Sequence, residues 1–127
     1  MTKLHEEQKK WKAMLSSATK LETVLNHKKT KKNVKRKQLP KALLFKGMAQ
    51  YQLKKYNAAT KSLAKVAKMK RVKNTEKNAS YYYMGLAYKG MNNNKSAKTF
   101  FKKTKGAFKS NAEYEIDDID NGDKYTN

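Results

Sequence analysis

Like residues recur at one fixed separation along the chain, and that spacing constrains the fold more than any other feature. Gly47 and Gly85 lie 38 positions apart, as do Ala49 and Ala87, Ala59 and Ala97, Leu63 and Phe101, and Lys65 and Lys103. A recurrence of supersecondary length marks a stacked repeat. Both glycines fall inside apolar patterns of helical period, where glycine costs about 1 kcal/mol relative to alanine. A helix keeps such a residue where a neighbouring helix must come close, and Ala59 and Ala97 supply small residues on the helix that follows. The spacing predicts an antiparallel helix pair, repeated once.

The rest of the chain agrees with an all-α reading. It holds one proline and five glycines in 127 residues. Over residues 2–27, Leu4, Trp11, Met14, Leu15, Ala18, Leu21 and Leu25 fall at steps of three and four, forming one apolar stripe. Residues 28–39 carry seven bases and read as a basic linker or a frayed helix end. Pro40 suits the first turn of a new helix, where a missing N–H costs nothing. Residues 40–109 then read as two helix pairs, separated by the loop at 70–75 and each turned in its middle, at Lys54-Lys55 and at residues 90–94. Asn74 or Thr75 is placed to cap the third helix of this region, and Phe108 continues the stripe of Ala97, Phe100 and Phe101. Ser110 and Glu113 read as a capping box for a short final helix ending near Gly122, within an acidic segment at 110–127.

The run 81–104 carries Gly85, Ala87 and Tyr88, then Ala97 and Phe101 on the next helix, and here the sequence resembles the tetratricopeptide repeat family. Gly47, Ala49, Tyr56, Ala59 and Leu63 fit the same signature less closely, with Gln50 where the family prefers Tyr and Lys46 where it prefers Leu. The period of 38 exceeds the family's usual 34. Ala18, Leu21 and Leu25 lie 38 before Tyr56, Ala59 and Leu63, so the first helix reads as half of a degenerate repeat, although Lys9 stands where glycine would be required. The resemblance implies an antiparallel α-α superhelix with a capping C-terminal helix, acting as a non-catalytic scaffold or adaptor.

The stretch YYYMGLAY, residues 81–88, poses the sharpest question, because three adjacent tyrosines in a basic chain suggest a base-stacking platform. One helix cannot aim all three the same way. Tyr81, Met84, Gly85 and Tyr88 share one face, and the repeat makes it the packing face. Tyr82 and Leu86 share another. The resemblance implies that this second face lines a concave groove, with Leu44, Met48 and Tyr51 on the earlier repeat and Lys41 and Lys89 at the rim. The groove would take a partner protein segment that is apolar, with acidic flanks. The family's carboxylate clamp needs Lys and Asn where this chain has Leu44, Met48 and Leu86, so no clamp is expected. The competing expectation is that the protein's own terminal helices cover this surface.

The charge supports a second reading. Thirty-one bases against ten acids leave a net charge of +21. Residues 1–112 carry 30 bases and 4 acids, whereas the last 15 residues carry six acids and one lysine. Only Arg36 and Arg71 are arginines. Codon bias would supply Lys, Asn and Tyr but would not remove Glu. Candidate contacts for a polyanion (nucleic acid, anionic membrane or cell-envelope polymer) are Lys28, Lys29, Lys31, Lys32, Lys35, Arg36 and Lys37, with Lys61 and Lys65 on one helix and Lys98 and Lys102 on another. The bland alternative is the solvated outer face that repeat proteins carry. Charge of this density opposes self-association, so a monomer is expected. The acidic tail is expected to dock on the basic body.

Catalysis finds no constellation in the sequence. Cysteine is absent, and His5 and His27 stand in polar surroundings. Neither metal-ligand spacing nor a Gly-rich phosphate loop occurs, so no enzyme, metal or other cofactor is expected. No apolar run reaches the roughly 18 residues of a membrane span. The polar start MTKLHEEQKKW lacks a signal-peptide core, which favours a soluble chain of the cytoplasm, or of the periplasm after removal of a signal peptide.

Overall fold

The computed structural model describes residues 3–125, with the side chains of residues 5–122. The side chains of Leu4 of the expected N-terminal stripe and of Asp123 of the acidic tail, and residues 1–2 and 126–127 altogether, lie outside what is described. Among the described residues six α-helices follow one another: α1 (Lys3–Leu25), α2 (Lys32–Gln52), α3 (Tyr56–Lys68), α4 (Asn74–Gly90), α5 (Asn94–Lys103) and α6 (Lys109–Tyr125). A 3₁₀ turn at Gly106–Phe108 joins the last two. Each helix packs on the next, and α2 also touches α4, so the chain is an all-α stack of adjacent helix pairs.

The 38-residue echo is a relation in space. A Cβ built on Gly47 would stand 2.5 Å from Leu63 Cγ, and one on Gly85 would stand 2.5 Å from Phe101 Cε1. The glycines therefore make room for the large apolar residue of the following helix, while Ala59 and Ala97 are themselves fully buried. The turns repeat as well. Lys54 and Asn92, 38 apart, both adopt positive φ, 62° and 61°. After each, the next amide donates back across the helix end: Lys55 N–H to Gln50 O at 2.8 Å, and Asn93 N–H to Tyr88 O at 2.9 Å.

Where the first pair departs from the second, the partner changes with it. Ser62 Oγ donates to Gln50 Oε1 at 2.7 Å in a buried contact between α2 and α3. Thirty-eight residues on, Tyr88 and Phe100 stack at 5.5 Å with planes 3° apart. A hydrogen bond and an aromatic stack thus occupy the same place in successive pairs. Lys46 likewise stands opposite Met84, and its ammonium meets Glu22 of α1 at 2.8 Å. Ala18 and Leu25 of α1 are buried, but Leu21 is 42% exposed.

Three expected boundaries move. The basic linker of residues 28–39 is mostly helix: α2 starts at Lys32, and Pro40 lies inside it. Pro40 removes the amide that would bond to the Arg36 carbonyl, a costly feature in a helix interior. Its buried ring, with Leu39, lines a hollow that Met69 of the α3–α4 connection also lines. Ser110 is no cap, because α6 already begins at Lys109. The reversal falls earlier, at Gly106, whose φ of +69° few other residues adopt. Gly122 does not end α6 either; the helix runs on to Tyr125. Phe108 leaves the α5 stripe for the 3₁₀ turn.

Candidate functional site

The tyrosine stretch is divided among three environments. Tyr81 and Tyr88 both pack on Phe100, at 6.3 and 5.5 Å. Tyr82 stacks on Phe108 at 5.3 Å and leans on Phe101 at 5.9 Å. Tyr83 reaches Tyr51 on α2 at 6.1 Å and Phe108 at 6.4 Å. Tyr82 and Tyr83 also meet edge to face at 5.5 Å, so each of the three rings is engaged with another ring of the chain. The phenols of Tyr51, Tyr82 and Tyr83 are held above their ordinary pKa, chiefly by burial; Glu115 adds to this at Tyr51 and Tyr82, while a hydrogen bond with Asn111 opposes it at Tyr82.

The inner face runs along α2 and α4. On α4, Tyr82 and Leu86 pack against the cluster of Ala97, Phe101, Ala112 and Ile119, and Lys89 completes the same row. Lys89 Nζ donates to Glu115 Oε2 and to Asp118 Oδ2, both at 2.6 Å. Burial draws the Lys89 pKa down, but the hydrogen bonds to Asp118 and Glu115 outweigh it and raise the net value. The α4 half of this face therefore meets the chain's own 3₁₀ turn and α6. On α2, Leu44, Met48 and Tyr51 form the matching row at i, i+4 and i+7 and are half-buried, with Lys41 exposed one turn before them.

The lysines fall into groups that the sequence did not separate. Lys98 pairs with Asp120, and Lys65 lies 3.8 Å from Glu22, so two of the expected polyanion contacts have acidic neighbours. Lys102 is exposed on α5 beside Lys98, and Lys61 is exposed on α3. Lys28 and Lys29 lie in the exposed turn after α1, and Lys31 is the residue that precedes α2. Lys32, Lys35, Arg36 and Lys37 sit on the first turns of α2, where a hollow of about 500 Å³ opens between Leu39, Pro40 and Met69. Lys70 and Arg71 line it as well. Sequence reasoning missed Arg71. Its signal was rarity, since both arginines of the chain line this hollow.

The acids of α6 act at the other end of α2. Glu115 influences Tyr51, which lies 15 residues beyond Arg36, about 22 Å along a helix. Among the described residues, no group of three His, Asp or Glu side chains could hold a metal ion. Among them also, no helix is long and apolar enough to cross a membrane. No protein family, curated protein or solved structure matches the chain.

Proposed function

We propose that the chain is a non-catalytic interaction module of tetratricopeptide-like repeats, holding a partner segment on the inner face of α2. One observation carries this reading: the equivalent face of α4 is already used within the molecule. There Tyr82 and Leu86 take apolar residues of the 3₁₀ turn and α6, while Lys89 takes two carboxylates. The row Leu44, Met48 and Tyr51 offers the same apolar chemistry, half-buried, with Lys41 beside it. The segment that suits it is an amphipathic helix with an acidic flank, the chemistry of α6 itself. The test is selection of helical peptides against the full chain, followed by calorimetry on the best binder. Leu44→Gln with Met48→Gln should weaken binding by about tenfold or more, or about 1.4 kcal/mol, at unchanged helicity. Unchanged affinity in that variant overturns the groove.

A second reading, association with a polyanion, has separate support. The described ion pairs use Glu22, Glu115, Asp118 and Asp120 on Lys46, Lys65, Lys89 and Lys98. Neither arginine is ion-paired among the described residues, although the guanidinium is the group best shaped to hold a carboxylate or phosphate in two bonds. Binding of this kind weakens linearly with the logarithm of salt, whereas apolar groove binding barely responds.

A further inference from the structure

We propose that the cleft between the first half of α2 and the α3–α4 connection binds a single-stranded phosphodiester chain. The inference deepens the polyanion reading and rests on it. Arg36 and Arg71, 35 positions apart in sequence, both line two adjoining hollows. The first, of about 500 Å³, adds Lys32, Lys35 and Lys70. The second, of about 420 Å³, adds Lys37, Lys41 and Lys73, with Glu76 as its one acid. Pro40 is common to both. Two cationic lobes sharing an arginine pair suit a ligand with anionic groups in series, each lobe taking one.

The shape narrows the class of polyanion. Leu39, Pro40 and Met69 line the first lobe with apolar groups among its cations, which matches a sugar or base carried between phosphates. A lipid bilayer presents headgroups alone at its surface, with no apolar group set between its phosphates. A duplex keeps its bases paired inside, whereas a single strand leaves sugar and base free to enter such a lobe. The cleft has no aromatic ring to stack a base on, so recognition is of the backbone and little sequence preference follows. Stability gives no reason for these charges. The residues that precede α2 and α4 are Lys31 and Lys73, neither with a capping hydrogen bond from its side chain, and a cation at a helix N-terminus opposes the helix dipole.

The test measures anisotropy of a labelled oligouridylate of about ten nucleotides, a length within the range such sites cover. It uses the full chain over a salt series. Arg36→Gln with Arg71→Gln should make the salt slope shallower by about 1.4, the share of two phosphate contacts on a single strand. Arg36→Lys with Arg71→Lys should keep the slope and lose affinity, because lysine holds phosphate as a point charge. The control is Lys61→Gln with Lys102→Gln, which removes the same charge from exposed faces elsewhere. Equal losses in the arginine and control variants overturn the site and leave general polyanion attraction standing. No binding by the native chain at low salt overturns both. Equal binding of a duplex, or arginine-dependent binding to phosphatidylserine vesicles in place of the oligonucleotide, overturns the single-strand assignment.

Discussion

Phe101 lies so close to Gly85 that a Cβ there would stand 2.5 Å from ring carbon Cε1 and 2.6 Å from Cδ1. Phe101 is itself buried, so the ring has nowhere to retreat. Gly85→Ala gains up to about 1 kcal/mol of helix propensity. It also forces an overpacked contact costing typically about 1–3 kcal/mol. The steric term wins, and urea unfolding should show a lower midpoint with an unchanged slope. Phe101→Ala alone should cost about 3–5 kcal/mol. The double variant should cost less than the sum of the two, because the new methyl occupies part of the cavity.

Lys54 presents the opposite case, since its φ of 62° is unfavourable for a side chain with a Cβ. Lys54→Gly relieves that and removes one positive charge from a chain of net charge +21. It should stabilise the fold by roughly 0.5–1 kcal/mol, read as a higher melting temperature. A lower melting temperature would mean that the left-handed turn is not at residue 54.

The exchange between successive helix pairs gives a third prediction. Ser62→Ala leaves buried Gln50 Oε1 without its donor and should cost about 1–3 kcal/mol. Gln50→Leu combined with Ser62→Ala removes both polar groups and should be closer to the native protein than the sum of the single changes. Additive losses would show that the two residues are not coupled.

Much of this was legible because the repeat announced itself through Gly47, Gly85 and their large apolar partners. The all-α class and the packing roles of Tyr81, Gly85 and Tyr88 follow from spacing alone. The start of α2 was not legible. Seven bases and a proline read locally as a break, yet α2 runs through them with Pro40 buried, beside a hollow that Met69 also lines from a distant part of the chain that no local pattern encodes. The same distance hid Arg71. Lys89 looked like a free rim residue because its partners, Glu115 and Asp118, arrive from a helix whose docking depends on the position of the turn at Gly106.

Alkaline pH should loosen the α4–α6 contact. The folded pKa values of Lys89, Tyr51, Tyr82 and Tyr83 are all raised. A raised folded pKa gives stability that is full below the unfolded value, 10.0 for Tyr and 10.5 for Lys, and is lost as pH rises through the folded value. Stability should therefore be flat through neutrality in this respect and fall above about pH 10. Phenolate absorbance should show Tyr51, Tyr82 and Tyr83 ionising later in the folded chain than in denaturant. A single unperturbed titration of all eight tyrosines of the chain would contradict the packing described for these three.

The central claim is that the rings of the tyrosine stretch are taken up by packing within the chain and that recognition of an anionic chain belongs to the arginine pair. The chain has two arginines, so its ¹⁵N-correlated NMR spectrum should hold two side-chain Nε–Hε signals. Titration with oligouridylate at low salt tests the claim most directly. The account predicts that both arginine signals move together and saturate, while the ring signals of Tyr81, Tyr82 and Tyr83 stay in place. Movement of those rings with the arginine signals unchanged would contradict it.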